Sequence, residues 1–261
     1  MARSRVRVAG HFGELLQGRL GPGGSVVLLT LPCPALGVRA VRVAAGAALS
    51  LRGGLVSPAL ARRFLGGLRL PLRGCVALFP EAVPGGGAGM STAALVALAR
   101  LAGWRGDKLR LALACVAAEG ASDPLMLPEG GAMLWASREG RVVRAMAPLE
   151  PCEIVGGFVG PPRRTDAGDG DFADISDLVT RWRGDLRVQA ALAAQSAARR
   201  WGEAPAAVLA RELGALGWVA AHTGSAQGLI FAPGTVPAGA GAALRAAGFA
   251  GVLRFRAGGG A

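Results

Sequence analysis

The chain has 261 residues, 52% of them hydrophobic, and a formal net charge of +12. This is a globular composition with ample material for a core, so the chain holds one large domain or two modest ones. Lys108 is the only lysine and tyrosine is absent, which argues against the interleaved basic and aromatic residues of a specific nucleic-acid-binding surface. The charge instead favours attraction of an anionic nucleotide.

The four cysteines are spread along the chain without a Cys-x-x-Cys pair. This spacing argues against a metal knot and a disulfide scaffold, and it predicts free thiols in a reducing cytoplasm. The basic N-terminus lacks the continuous apolar region of a signal peptide. No apolar run reaches the length of a membrane span, so we expect a cytoplasmic protein without a membrane partner.

The first half of the chain alternates strand-like and helical patterns. Gly10 permits a turn that ends the first strand, which places Glu14 and Gln17 in the following loop or hairpin. Pro32 and Pro34 separate two further strands. The predicted elements are strands at 5–9, 25–30, 36–43, 47–51 and 72–79, a helix at 58–65 that begins at the cap Ser57, helices at 91–102 and 108–118 that begin at the caps Ser91 and Asp107, and a hairpin of 131–135 with 141–145.

A proline-marked change of pattern at residues 148–151 is the predicted domain boundary. It divides the chain into an N-terminal domain, 1–148, and a C-terminal domain, 149–261. The second half also mixes strands and helices, so the predicted fold class is α+β. Its predicted elements are strands at 152–158, 217–221, 228–231 and 251–255 and helices at 175–182, 186–201, 205–213 and 238–247.

The segment 84–94 is the main candidate for a functional site, because four of the five residues 85–89 are glycine. Glycines cost backbone entropy and contribute no side chain to a core. They allow successive N–H groups to converge on an anion, and the helix predicted from Ser91 adds its unpaired N–H groups and the positive end of its dipole. The segment therefore predicts a phosphate site, with a flexible turn as the alternative.

Three segments resemble motifs of the GHMP small-molecule kinases, which include galactokinase, homoserine kinase and mevalonate kinase. GAGMSTA at residues 87–93 is similar to the family's phosphate-binding GLGSSA segment. GHFGELLQG at 10–18 and AHTGSAQGL at 221–229 resemble the first and last motifs of one branch, the L-threonine kinases of cobalamin synthesis and propanediol utilisation. The motifs occur in order along nearly the whole chain, so together they are far more specific than any one alone.

The resemblance implies a two-domain GHMP kinase fold, with a ribosomal-protein-S5-like N-terminal half and a ferredoxin-like C-terminal half. It implies ATP and Mg²⁺ as cofactors and transfer of the γ-phosphoryl group to the side-chain hydroxyl of L-threonine. The product, O-phospho-L-threonine, would supply the aminopropanol arm of cobalamin. The partners are then ATP and L-threonine or a similar alcohol, and a homodimer is compatible with this interpretation.

The resemblance also assigns roles to individual residues. Ser91 stands at the family's second serine, where its hydroxyl can complete the magnesium shell. Glu119 is the candidate acidic ligand because of its position near Asp123, since the branch's own glutamate falls at Gly120. Asp123 is the candidate base, and Glu119 is the other catalytic candidate if one further helical turn puts both carboxylates on one face. The alternative is a pair of surface carboxylates at a helix end. The predicted nucleotide-binding residues are Gly85, Gly86, Gly87, Ala88, Gly89, Met90, Ser91 and Thr92.

The substrate site is expected from the first and last motifs. Glu14 offers a carboxylate for the α-ammonium of an amino acid, with a solvated turn residue as the alternative. His11 receives no role as a base, because the branch more often has an uncharged residue there. The predicted substrate-binding residues are Glu14, Gln17, His222, Thr223, Gly224 and Ser225.

Three departures from the family pattern keep other functions open. Met90 replaces the first serine, Ala94 is a further departure in the same segment, and Gly120 stands where the branch has its glutamate. The alternatives are another GHMP activity on homoserine, a sugar or an isoprenoid alcohol, a degenerate member that binds nucleotide without turnover, and an arginine-rich RNA-binding module with the S5-like fold.

Overall fold

The computed structural model of the chain describes residues 4–163 and 169–259. Within these ranges, short runs of strands and helices follow one another in a mixed α/β fold. The strands are β1 (Arg5–Arg19), β2 (Val26–Ala44), β3 (Leu49–Arg52), β4 (Gly74–Pro80), β5 (Met133–Ala136), β6 (Arg141–Ala145), β7 (Cys152–Phe158), β8 (Gly217–Ala220), β9 (Ala226–Phe231) and β10 (Ala250–Ala257). The α-helices are α1 (Pro58–Gly67), α2 (Met90–Leu101), α3 (Lys108–Glu119), α4 (Ser176–Arg181), α5 (Leu186–Trp201), α6 (Pro205–Glu212) and α7 (Ala240–Ala246).

The strands form one sheet that runs through both halves of the chain. Its order is β10-β7-β9-β8-β1-β2-β4-β3, with β5 beside β2 and β6 beside β5. The halves join where Glu14 of β1 pairs with Ala220 of β8. The predicted domain boundary at residue 148 precedes β7 and stays a prediction.

The first strand is longer than the sequence predicted. It continues through Gly10 to Arg19, so the prediction that Glu14 and Gln17 lie in a loop is wrong. Gly10 does not form a turn. It allows β1 to approach Ala88 closely, because a Cβ atom on Gly10 would lie 2.4 Å from the carbonyl oxygen of Ala88. Register shifts on both sides of Glu14 let this irregular strand stay paired with β2.

The second strand is also continuous where two strands were predicted. Pro32 and Pro34 lie inside β2 and do not interrupt it. Proline lacks an N–H group, but an antiparallel pair uses the N–H groups of alternate residues only. Pro32 is paired with His11, next to one of the register shifts of β1. The irregular pairing therefore tolerates the prolines.

The helix α2 is the central element of the core. Ten of its twelve residues are buried, and it packs against β1 and β2. Leucine and alanine fill most of these positions, and the small alanines allow the sheet to approach closely. The core that contains α2 also includes Phe12 of β1 and Ile154 of β7. Both halves of the chain therefore contribute to one hydrophobic cluster.

Several local predictions are confirmed. Ser57 and Asp107 accept N–H groups at the starts of α1 and α3, as expected of helix caps. The hairpin of β5 and β6 forms as predicted. All four cysteines are free. Within residues 4–163 and 169–259, no helix combines the length and the apolar composition that a membrane span requires.

Candidate active site

The first motif lies against the glycine-rich segment between β4 and α2. The N–H groups of His11 and Gly13 donate to the carbonyl oxygens of Ala88 (3.3 Å) and Gly87 (3.2 Å). Both bonds engage carbonyl oxygens of the glycine-rich segment and none of its N–H groups. The first and second motifs, distant in sequence, are therefore in direct backbone contact.

The third motif, in the turn between β8 and β9, joins the same segment from the other half of the chain. The N–H groups of Ser225 and Ala226 both donate to the carbonyl oxygen of Gly86, at 3.1 and 2.8 Å. A Cβ atom on Gly224 would lie 2.5 Å from the nitrogen of Gly87, and both glycines have positive φ, +115° and +80°. Only glycine allows these backbones to approach so closely. The three motifs thus form one cluster.

The N-terminus of α2 opens into this cluster. The helix begins after Gly89, which has φ +68° and provides no side-chain cap, so the prediction that Ser91 is the cap is wrong. The N–H groups of the first helical turn have no acceptor within their helix, and they carry the positive end of the dipole. The side chain of Met90 is buried beside Gly10, so it adds no polar contact. Any anion at this helix terminus would therefore be bound by backbone N–H groups.

The carboxylate of Glu119 contacts the first turn of α2. Its Oε1 atom accepts a hydrogen bond from the hydroxyl of Ser91. Burial raises the pKa of Glu119, while the hydrogen bond from Ser91 opposes that rise. The extra helical turn expected beyond Glu119 is absent, because Gly120 ends α3 with a left-handed φ of +82°. Glu119 nevertheless contacts Ser91, which was predicted to bind both the metal and the phosphate.

Asp123 reaches the same helix terminus from the loop after α3. Its N–H group donates to the hydroxyl of Thr92 at 3.3 Å. A Cβ atom on Gly89 would lie 3.1 Å from Asp123 Oδ2, so the carboxylate faces the start of α2. Ser91, Thr92, Glu119 and Asp123 are therefore brought together.

His11, to which the sequence analysis gave no role, lies inside this cluster. Its side chain is 3% exposed, with Nε2 3.3 Å from Asp123 Oδ2 and Nδ1 4.0 Å from Glu14 Oε1. Nδ1 also lies 3.2 Å from the carbonyl oxygen of Gly13. Burial lowers the pKa of His11, but Asp123 and Glu14 outweigh burial and raise it to about 9. The imidazole is therefore a buried cation at neutral pH. In the sequence, its position between Gly10 and Gly13 of the first motif was the signal that could have indicated a role in the site.

Glu14 is buried at the junction of the two halves and does not lie in a solvated turn. Its Oε2 atom accepts the N–H group of His222 at 2.7 Å. Burial raises the pKa of Glu14 to about 7, against the opposing effects of His11 and the N–H group of His222. Glu14 therefore links the first and third motifs.

The remaining predicted substrate residues fall into two groups. Gln17 and His222 line a cavity beside the cluster. Thr223, Gly224 and Ser225 lie against the glycine-rich segment; a Cβ atom on Gly87 would be 2.7 Å from the carbonyl oxygen of Thr223. The cavity is also lined by residues that the sequence did not suggest, among them Asp171, Phe172, Ser196, Arg199 and Arg200.

Comparison with solved structures identifies the architecture. A protein described as a homoserine kinase from Listeria monocytogenes has a TM-score of 0.64 at 17% identity, over 98% of this chain and 97% of that chain. A 4-(cytidine 5'-diphospho)-2C-methyl-D-erythritol kinase has a TM-score of 0.62 at 22% identity, over 98% of this chain and 100% of that chain. The chain has the GHMP kinase fold. The phosphomevalonate kinase of Streptococcus pneumoniae matches with a TM-score of 0.63 at 14% identity, over 97% and 98% of the two chains.

These likenesses establish the GHMP kinase fold, and the predicted α+β architecture is confirmed. No protein-family model and no curated protein sequence matches the chain.

A divalent cation at this site would have few protein ligands. Within the described ranges, no group of three or more histidine, cysteine, aspartate or glutamate side chains is arranged to hold a metal. Mg²⁺ bound with a nucleotide needs only one or two protein carboxylates, because phosphate oxygens and waters complete its shell. Glu119 with the Ser91 hydroxyl fits that requirement. Such a cation would be held jointly by protein and nucleotide.

Proposed function

We propose that this chain is an ATP-dependent kinase that transfers a phosphoryl group to a small alcohol. The observation that carries the proposal is the contact between the Asp123–His11 pair and the start of α2, beside the clustered glycine motifs. Phosphoryl transfer requires positioning and charge stabilisation more than covalent chemistry. An amide-lined anion site with an adjacent carboxylate supplies both.

Each residue of the cluster has a role in this proposal. The N–H groups of residues 87–92 bind the phosphates of ATP, while Asp123 accepts the proton of the acceptor hydroxyl. The His11 imidazolium holds the Asp123 carboxylate in place and adds positive charge near the phosphates. Glu119 and Ser91 would hold Mg²⁺, which would supply positive charge to the phosphate oxygens.

The acceptor we propose is L-threonine, giving O-phospho-L-threonine for the aminopropanol arm of cobalamin. It rests on the resemblance of residues 10–18 and 221–229 to the L-threonine kinase motifs. Homoserine and isoprenoid alcohols are the competing acceptors, since solved structures with this fold are described as homoserine, mevalonate and phosphomevalonate kinases.

The test is ADP release with L-threonine, L-serine, L-homoserine and 1-amino-2-propanol side by side. We expect the highest kcat/KM with L-threonine and a loss of about 100-fold or more for Asp123→Asn. Asp107→Asn is the matched control, because asparagine also caps a helix and Asp107 lies at the start of α3. Nucleotide binding without ADP release on any alcohol would contradict the proposal and indicate a degenerate member of the fold.

A further inference from the structure

A cavity of about 180 Å³ lies beside the candidate active site. A cavity of this volume admits several water molecules, and it suits a ligand of amino-acid size. His222 connects the cavity to the site, because its ring lines the cavity while its N–H group donates to Glu14. The cavity is therefore adjacent to the His11–Asp123–Glu14 cluster.

Gln17 gives this cavity an unpaired acceptor. Its Nε2 atom donates to the carbonyl oxygen of Ala220 at 2.9 Å, which fixes the orientation of the side-chain amide. Its Oε1 atom is buried and has no hydrogen-bond partner among the described residues. A buried acceptor without a donor is unfavourable, so this oxygen calls for a donor from a ligand.

Arg200 gives the same cavity an unpaired donor. Its terminal nitrogens pair with Asp171 at 2.7 Å and Asp169 at 3.1 Å. Its Nε atom is buried and has no partner within the part of the chain that the structure describes. The neighbouring Arg199 pairs with Asp177 at 2.7 Å. Because three aspartates face these two arginines, the local charge is not positive, and the cavity favours a ligand with both charges over a simple anion.

His222 and Phe172 form an aromatic wall of the cavity. Their rings stack with centroids 4.1 Å apart and an interplanar angle of 10°. Burial, with help from Arg200, lowers the pKa of His222 to about 4, although Asp169 opposes this. The imidazole is therefore neutral at physiological pH. The wall adds apolar surface for a short carbon skeleton without adding charge.

We propose that this cavity binds the zwitterionic head group of a small hydroxylated α-amino acid. The α-ammonium donates to Gln17 Oε1, and the α-carboxylate accepts from Arg200 Nε. The inference rests on the proposed kinase function, because the hydroxyl of this ligand is the phosphoryl acceptor. It restricts the acceptor class to amino acids and excludes sugars and isoprenoid alcohols, which lack one or both charges.

The first test varies the ligand. Binding of L-threonine to the full chain is measured by calorimetry, with and without a non-hydrolysable ATP analogue. The same titrations use 3-hydroxybutyrate, which lacks the ammonium, and 1-amino-2-propanol, which lacks the carboxylate. We expect each analogue to bind on the order of 10- to 100-fold more weakly than L-threonine, because each leaves one buried group unpaired.

The second test varies the protein. Gln17→Leu removes the acceptor, and the matched control Gln195→Leu changes an exposed glutamine on the same helix as Arg200. Arg200→Lys keeps the charge and removes the Nε donor, with the surface Arg211→Lys as its control. We expect weaker L-threonine binding in the two cavity variants only. Thermal melting checks folding, and Arg200→Lys decides the result if Gln17→Leu does not fold.

The outcomes separate the two proposals. Selective binding of L-threonine without any phosphorylated product would support the amino-acid site and overturn the kinase function. Phosphorylation of alcohols lacking the ammonium or the carboxylate as efficiently as L-threonine would support the kinase and overturn the amino-acid site. Unchanged L-threonine binding in both cavity variants would also overturn the amino-acid site.

Discussion

Titration of the two histidines tests the electrostatics of the site directly. His11 lies between Asp123 and Glu14, and these carboxylates raise its pKa from 6.5 to about 9 despite burial. At about 1.4 kcal/mol per pKa unit, this shift corresponds to roughly 3–4 kcal/mol in favour of the imidazolium. Because the pKa is higher in the folded protein, this stabilisation is complete below about pH 6.5 and is lost as the pH rises through about 9.

The assay is NMR of the imidazole signals from pH 4 to pH 10. The chain has only two histidines, so two titration curves are expected, with midpoints near 9 for His11 and near 4 for His222. The variant His222→Gln assigns the signals, and both midpoints should return to about 6.5 in denaturing urea. A midpoint near 6.5 for His11 in the folded protein would refute the reasoning, because it would mean that no buried carboxylate faces the ring.

Two substitutions test the packing and the metal site. Gly87→Ala should lower the free energy of unfolding by about 2–5 kcal/mol in urea denaturation, because its Cβ would lie 2.1 Å from Ala221 Cβ at φ +80°. Gly103→Ala is the control, because Gly103 has φ +98° and the added side chain would enter open space. It should lose only the contribution of backbone strain, about 1–2 kcal/mol. Equal losses in both variants would contradict the close approach at Gly87. Ser91→Ala should raise the Mg²⁺ concentration for half-maximal ADP release on the order of tenfold, since its hydroxyl orients the neighbouring carboxylate. Ser57→Ala, which removes a distant helix cap, should leave that concentration unchanged.

Much of the fold could be predicted from local signals. Asp107 before α3 and Gly120 after it are strong start and stop signals, and both act as such. The ambiguous residues were glycine and proline in strands. Gly10 was interpreted as a turn and Pro32 as a break, but β1 and β2 continue through them. Those residues are explained by close approach and by the pairing pattern, which depend on other parts of the chain.

The candidate site could be predicted only where its signal is local. The glycine-rich segment next to a helix is visible in the sequence, as are the acids near the end of α3. The pairing of His11 with Asp123 is not visible, because it requires β1 and the loop after α3 to meet at the start of α2. Arg200 and Phe172 were missed for the same reason. They reach one cavity from different segments, and nothing in their own neighbourhoods marks them.

The account depends most on the binding of a triphosphate at the start of α2. An amide NMR titration of the isotope-labelled chain with Mg·ATP measures this residue by residue. We predict saturable shifts that are largest for the N–H groups of residues 87–92, with smaller shifts at His11 and Asp123. Absence of saturable shifts in that segment, or shifts confined to another surface, would contradict the account.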